Sequence, residues 1–380
     1  MSQALIVHVI HRLGVGGLEN GLVNLINHLP RKKYRHAIVC LTEAGEFEKR
    51  LKRDDVAVYA LHKREGQDLG LYLRFYRLLR QLRPAIVHTR NLAAIECQLP
   101  AWMAGVPRRI HGEHGWDVFD PDGRRRKYQW LRRAFRPLVQ RYIPLSRQLE
   151  CYLTDRIGVP RDKITRICNG VDTQVFHPSP SGKERIPQCP FQERNLILIG
   201  TVGRMHGVKD QITLVKAFIR LLARHPEFRR RVRLVCIGEG PLRQSGIQLL
   251  EQEGLQDLAW FPGERDDVAT VLRGLDVFVL PSRAEGISNT LLEAMATALP
   301  VLATEVGGNG ELVNHKETGF LVPAGDPEAM AACLFRYVKD GRLRRQHGER
   351  GWVRVREEFS LERMLDRYDG VYSQLLEKNH

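Results

Sequence analysis

The chain predicts an α/β protein of doubly wound parallel sheets, built twice over. A short apolar, β-branched run, a glycine-bearing loop and an amphipathic stretch recur along it, starting at Leu5 and restarting at Leu196. At 380 residues it is long enough for two domains, each with its own core. The expected division is 1–180, a linker at 181–193 in a region rich in Pro, Ser and Gly, 194–356, and a terminal helix over 357–380 able to cross back to the first domain.

In the first half, Leu5 to Ile10 reads as a strand and leads through Gly14, Gly16 and Gly17 into a helix reaching about Leu29. A nicotinamide fingerprint needs a third glycine where this chain has Glu19, which discounts that cofactor. His36 to Thr42, Val56 to Leu61, Ile86 to Thr89 and Arg109 to Glu113 follow as strands. The last runs into His111-Gly-Glu-His-Gly-Trp-Asp117. Of its histidines, His114 is the favoured active-site residue and His111 the reserve, with a structural pair as the alternative. With no third ligand beside them, a metal site is not expected. Asp120-Pro-Asp122 resembles a metal-binding Asp-x-Asp, but it follows no strand and contains proline, so it reads as a turn.

In the second half, Leu196 to Val202 is a strand, and Gly203-Arg-Met-His-Gly-Val-Lys-Asp210 opens a helix through about Ala223. Arg204 and Lys209, at a strand end beside a helix start, suit a leaving diphosphate, where fixed cations can do the work of a metal ion. Asp276 to Leu280 is a buried strand stopped by Pro281. Asn289 then caps a helix from about Thr290 to Leu299, and Val301 to Thr304 is the next strand. Glu285 and Glu293 flank that helix start. A diphosphate can meet the amides of Gly286, Ile287, Ser288 and Asn289 while both carboxylates accept sugar hydroxyls. The plainer alternative makes Glu293 a helix-dipole charge and Glu285 a solvated loop residue.

The run Glu285-Gly-Ile-Ser-Asn-Thr-Leu-Leu-Glu293-Ala-Met-Ala resembles the signature of the retaining family 4 glycosyltransferases, the group 1 glycosyltransferases of GT-B fold. Pro144-Leu-Ser146, Cys168 to Pro178, Gly238 to Leu242, Phe261 to Gly263, Val306 to Leu312 and Gly319 to Asp326 resemble further segments in the same order, over roughly residues 4 to 370. The resemblance implies two facing Rossmann-like domains with a cleft between them, the donor mainly on the second and the acceptor mainly on the first. It places Glu285 at the donor sugar, Glu293 at the ribose, Gly238 and Glu239 near the nucleotide, and His114 at the sugar from the first domain. Gly16 and Gly17 would leave room for phosphate and acceptor. Ile287-Ser288 departs from the Phe-Gly of many members, and Asn309-Gly310 stands where Pro is common before Glu311. The stretches at 111–117 and 285–289 look most like the sugar transferases associated with exosortase/PEP-CTERM exopolysaccharide production.

The resemblance thus implies metal-independent, retaining transfer of a hexose-type sugar from a nucleoside diphosphate sugar to a lipid-linked or polysaccharide acceptor, with no cofactor. A sugar-nucleotide epimerase or hydrolase on the same fold, and a non-catalytic basic lipid-binding protein, are the alternatives. Seven cysteines without a Cys-x-x-Cys pair argue against zinc, redox chemistry and a disulfide frame. No apolar run approaches a membrane span and no signal peptide is read at the start, so a cytoplasmic protein is expected.

The net charge of +15 lies wholly in the first half. Residues 1–190 hold 33 Lys and Arg against 18 Asp and Glu, while 191–380 hold 26 against 26. The cluster Arg124 to Arg141, with Tyr128, Trp130 and Phe135, predicts a basic helix interrupted near Pro137. Docking on the inner face of the cytoplasmic membrane through anionic lipid is the expected use. A solvated face is the alternative, and no nucleic-acid motif is present.

Overall fold

The computed structural model describes residues 3–14, 16–66, 68–116, 120, 123–193 and 195–377. Asp117, Pro121 and Asp122, three of the residues singled out above, lie outside this set, as do 378–380 of the terminal segment.

The chain divides into two compact units, 1–169 with 362–380, and 170–361. Unit 1 runs β1 (Ala4–Ile10), α1 (Gly17–His28), β2 (Tyr34–Cys40), β3 (Ala57–Ala60), α2 (Leu69–Leu82), β4 (Ile86–Arg90), α3 (Asn91–Ile95), α4 (Gln98–Met103), β5 (Arg108–Glu113), α5 (Arg126–Phe135), β6 (Arg141–Pro144) and α6 (Arg147–Cys151). Its six strands pair in parallel in the order β3-β2-β1-β4-β5-β6. The order reverses beside β1, so the loops after β1 and β4 diverge and leave room at the carboxyl end of the sheet.

Unit 2 runs β7 (Ile197–Val202), α7 (Gln211–Arg224), β8 (Val232–Ile237), α8 (Arg243–Gln252), β9 (Ala259–Gly263), α9 (Val268–Gly274), β10 (Val277–Leu280), α10 (Asn289–Ala296), β11 (Val301–Thr304), α11 (Asn309–Leu312), β12 (Gly319–Val322), α12 (Pro327–Lys339) and α13 (Gly341–Glu358). Its parallel order is β12-β11-β10-β7-β8-β9. β10 and β11 are buried at every residue, as strands covered by helices on both faces must be. The closing helix α14 (Leu361–Glu377) falls almost wholly within unit 1.

The break falls at Asn169/Gly170, ahead of the expected boundary at 180, and 181–193 is not a linker. Ile186 and Cys189 are buried, Lys183 Nζ donates to Asp276 Oδ2 at 2.5 Å, and Arg273 pairs with Glu184 at 2.8 Å. These contacts bind the segment to unit 2. The terminal helix starts at Leu361 rather than 357, because α13 continues to Glu358.

In unit 1 the packing of α14 on the sheet is polar as well as apolar. Tyr34 donates to Asp369 Oδ1 at 2.7 Å, Lys33 pairs with the same carboxylate at 2.7 Å, and Arg108 Nε donates to the Leu375 carbonyl at 2.6 Å. Behind Tyr34 lie three buried imidazoles, His8, His36 and His88, with His8 and His88 in register on neighbouring strands. Arg90, only 2% exposed, donates to His8 Nδ1 at 3.1 Å. Nδ1 of His8 is therefore the acceptor and Nε2 carries the proton, which it donates to His36 Nδ1 at 3.0 Å. His88 Nδ1 lies 3.0 Å from the Tyr372 hydroxyl on α14.

Burial, with the Arg90 charge beside them, holds His8 and His88 far below the ordinary imidazole range; burial and Arg53 lower His36 to about 3. The unfolded chain binds protons that these three sites refuse, so their contribution is complete above about pH 6.5 and is lost as pH falls below it. Unfolding free energy should drop by up to about 1.4 kcal/mol per pH unit for each histidine on that limb. Urea midpoints measured from about pH 7 down to about pH 5 should fall steeply, and His36→Gln should flatten the slope; an unchanged slope in that variant would contradict the assignment.

Candidate active site

The site on unit 2 is built from loops at the carboxyl ends of β7, β8, β10 and β11. After β7 the chain turns at Gly203, exposes Arg204, buries Met205 and enters α7 through Asp210, whose φ is 45°. Gly238 at the end of β8 has φ of 131°, and a Cβ there would fall on the Gly203 carbonyl oxygen. Glycine is required because the two loops cross backbone to backbone, with Met205 N donating to the Glu239 carbonyl at 2.7 Å.

The loop after β10 is fastened to the β7 loop at three points. Arg283 N donates to the Val208 carbonyl at 2.8 Å, Arg283 Nε pairs with Asp210 Oδ2 at 2.9 Å, and Lys209 Nζ pairs with Glu285 Oε1 at 2.5 Å. Ser282 Oγ donates to the same Glu285 oxygen at 2.6 Å. The Glu285 side chain is 8% exposed and that of Lys209 26%. From the far side, Thr304 Oγ1 donates to the Ser282 carbonyl at 2.5 Å and Gly308 N to the Gly286 carbonyl at 2.8 Å. Gly307 has φ of 53°, and a Cβ on it would fall on the Glu285 carbonyl oxygen.

α10 begins at Asn289 and ends at Ala296, with Ser288 as its cap; the Ser288 hydroxyl accepts from Leu291 N at 3.4 Å. This corrects the expected Asn289 cap and the expected end near Leu299. Ser288 has the extended backbone a cap needs, which leaves Asn289 helical. Ile287 is buried, and Glu293, expected in the first turn, is the fifth residue of α10 and lies half-buried on its second turn.

The structure therefore gathers Lys209, Glu285, Gly286, Ile287 and Ser288 in one clasp, with the glycine crossing of Gly203 and Gly238 fastened to the same β7 loop. Arg204 is exposed and forms no ion pair among the described residues. Lys209 and Glu285, expected to serve a diphosphate and a sugar separately, are partners of each other. Ser282, Arg283, Asp210 and Gly307 were not singled out from sequence. The Gly-Gly of 307–308 and the Ser282-Arg-Ala-Glu285 spacing were visible, but their pairing across separate loops was not.

In unit 1, His114 is half-buried at the end of β5, its backbone N donating to Asn91 Oδ1 at 2.7 Å. Burial and the nearby Arg90 charge lower its pKa to about 3, so the ring is neutral at physiological pH. Arg90, His114, Asn169 and Gly21 share a cavity of about 10 Å³, the space of a single water. His111 is fully buried, with Nδ1 2.8 Å from Thr89 Oγ1 and Nε2 3.4 Å from Glu113 Oε1. It belongs to the core, which leaves His114 as the more open of the two. Gly16 caps α1, with Gly17 its first residue. Among the described residues no group of three His, Cys, Asp or Glu is arranged to hold a metal ion.

The basic segment is less free than its composition implies. Arg132 is 3% exposed and forks onto Glu113 at 2.6 and 3.2 Å, holding that carboxyl near 2 despite its burial. Arg133 donates to the Arg156 carbonyl, Arg136 to that of Gly158 and Arg141 to that of Asp162. Exposed Arg124, Arg125, Arg126 and Lys127 remain, with Trp130 67% exposed.

Two family models cover most of the chain: Glycosyltransferase Family 4 over residues 15–175 and Glycosyl transferases group 1 over 197–340. A lipopolysaccharide core biosynthesis mannosyltransferase of Rhizobium leguminosarum is 35% identical over 222 residues, 57% of this chain and 61% of that one, so the chain spans less than two thirds of it. Another, from Rhizobium meliloti, is 30% identical over 68% of this chain and 72% of its own. The crystal structure of Anabaena HepE in complex with UDP and glucose has the same fold, at a TM-score of 0.80 and 19% identity over 98% of this chain and 100% of that one. No described helix is long and apolar enough to cross a membrane. In its paired parallel sheets and in both halves of its sequence, the chain belongs to the group 1, family 4 glycosyltransferases of GT-B fold.

Proposed function

We propose that the protein transfers a hexose-type sugar, with retention, from a nucleoside diphosphate sugar to a lipid-linked or polysaccharide acceptor, using fixed cations in place of a metal ion. The observation that carries this reading is the Lys209–Glu285 pair, 2.5 Å long and mostly buried, at the carboxyl ends of adjacent strands beside the start of α10. A diphosphate at that point offers Lys209 a stronger partner than one carboxylate, since negative charge grows on the leaving oxygen as the glycosidic bond breaks. Lys209 turning to the phosphate frees Glu285 Oε1, still held by Ser282, to accept a sugar hydroxyl. Arg204 meets the diphosphate from solvent, and Arg283, anchored on Asp210, keeps the loop in register. Glu293, one turn into α10, takes the ribose, and Gly238, Glu239 and the amides of 286–289 line the nucleotide. In unit 1 the neutral His114 ring offers a hydrogen bond to a sugar hydroxyl without adding charge.

The UDP and glucose of HepE and the mannosyl transfer named for the two Rhizobium proteins support the donor class. An acceptor carried at an anionic surface agrees with the four exposed cations of Arg124–Lys127 and exposed Trp130.

Protection against thermal unfolding by a panel of sugar nucleotides identifies the donor, and product analysis with and without acceptor separates transfer from epimerisation or hydrolysis. Lys209→Ala should lower turnover about 10²-fold or more, as expected when one pre-positioned charge-stabilising group is removed; near-normal turnover would remove the role. Gly307→Ala should cost more than the about 1–2 kcal/mol of its left-handed backbone alone, because a Cβ there overlaps the Glu285 carbonyl oxygen, and should depress turnover of the fraction that folds. Wild-type turnover in that variant would show that the Glu285 loop need not be held where it is.

A further inference from the structure

We infer that the amino end of the unit 1 sheet, with the outer face of α4, docks on an anionic phospholipid surface. The observations lie on the opposite end of that sheet from Gly16 and His114. A cavity of about 1060 Å³ opens where β1, β2 and β4 begin. Lys32, Arg35, Arg80 and Arg83 line it, all exposed, none with an ion pair among the described residues. Lys33 is neutralised by Asp369, and Glu377 is the one carboxylate on the wall. The floor is apolar, with Leu79, Leu82, Pro84 and Val106.

The wall from Ala104 to Pro107 continues directly from α4, which is turned inside out for a surface helix. Its buried side holds Gln98, Pro100 and Ala101. Its outer side holds Leu99, Trp102 and Met103, at i, i+3 and i+4, exposed by 43, 54 and 60%. α2, packed beside α4, runs toward the cavity and brings Arg80 and the following Arg83 to its rim. Apolar side chains that include an interfacial Trp, next to a cavity ringed by unpaired cations, match the two layers of a bilayer surface: acyl boundary for the former, phosphate for the latter. A second copy of the chain is disfavoured as occupant, since a symmetric contact would set the same cations against each other. The carboxyl ends of the strands stay clear of the surface.

Binding of the full-length protein to vesicles needs no donor or acceptor, so this inference stands or falls separately from the transfer reaction. Co-sedimentation with phosphatidylcholine vesicles containing phosphatidylglycerol should be strong at low salt and weak at high salt. Trp102→Ser with Met103→Ser, and separately Arg80→Glu with Arg83→Glu, should each lower partitioning by more than about tenfold, while the melting temperature stays within a few degrees. Reversing Arg124 and Lys127 should cost less than either. The inference is overturned if wild-type protein ignores the anionic vesicles or binds neutral ones equally. It is also overturned if the α4 and α2 variants bind like wild type, if free glycerol phosphate competes as well as vesicles do, or if the α4 variant merely converts a dimer to a monomer.

Discussion

Gly307 passes over the Glu285 carbonyl so closely that no side chain fits between them, and the position of the Glu285 carboxylate follows from that contact. The loop after β10 cannot rise, because the loop after β11 lies on it; it cannot slide, because Thr304 holds the Ser282 carbonyl and Gly308 that of Gly286. On its other side it is tied to the loop after β7 through Val208 and Asp210. The Glu285 carboxylate, on an otherwise irregular segment, thereby takes its coordinates from three parallel strands, which are among the stiffest parts of the fold. The Lys209 ammonium sits where the same three strands end. The two charges satisfy each other at a site of low exposure, which avoids leaving either one desolvated and alone.

Unit 1 meets a different constraint. Arg90 is buried and permanently charged, with neutral imidazole and tyrosine groups around it in place of a carboxylate. Burial, reinforced by its charge, holds the rings nearby in the neutral form, His114 among them, and the tautomer of His8 follows from donation by the guanidinium. The closing helix α14 supplies Tyr372 to the same cluster and Asp369 to Tyr34 and Lys33. The polar interior of the sheet thus depends on a segment more than two hundred residues distant in sequence.

Much of this was legible beforehand where local pattern and local consequence coincide. The β-branched runs located β1 to β5, β7, β10 and β11, and the Glu285 to Glu293 segment read as strand, loop and helix. The cap shifted by one residue, from Asn289 to Ser288, because adjacent residues of equal capping propensity cannot be ranked without the backbone turn. The segment 181–193 read as a linker because its Pro, Ser and Gly content outweighs two apolar residues, yet Ile186 packing against Gly274 is what fastens it. The partnership of Lys209 with Glu285 spans 76 positions and has no local signature. Nothing in either loop alone distinguishes an ion pair from two independent ligands for a substrate.

The basic half of the chain illustrates the same limit through charge. Composition counts every arginine equally, whereas the fold sorts them by what their five donors reach. Arg53, Arg109, Arg133, Arg136 and Arg141 end on main-chain carbonyls that the turns of unit 1 leave open, and Arg132 ends on buried Glu113. Such side chains act as cross-links that happen to be charged, and they add little directional attraction for an anionic partner. Two groups stand out among the cations left over, one at the start of α5 and one at the amino ends of the strands. Only the second lies beside a cavity and an outward apolar helix face. In residues 191–380, by contrast, cations and anions balance, so the proposed attraction of a nucleoside diphosphate there rests on the local geometry of Arg204 and Lys209 rather than on net charge. The two halves thus differ electrostatically, with a net positive charge spread over one and a balanced set of charges, paired locally, in the other.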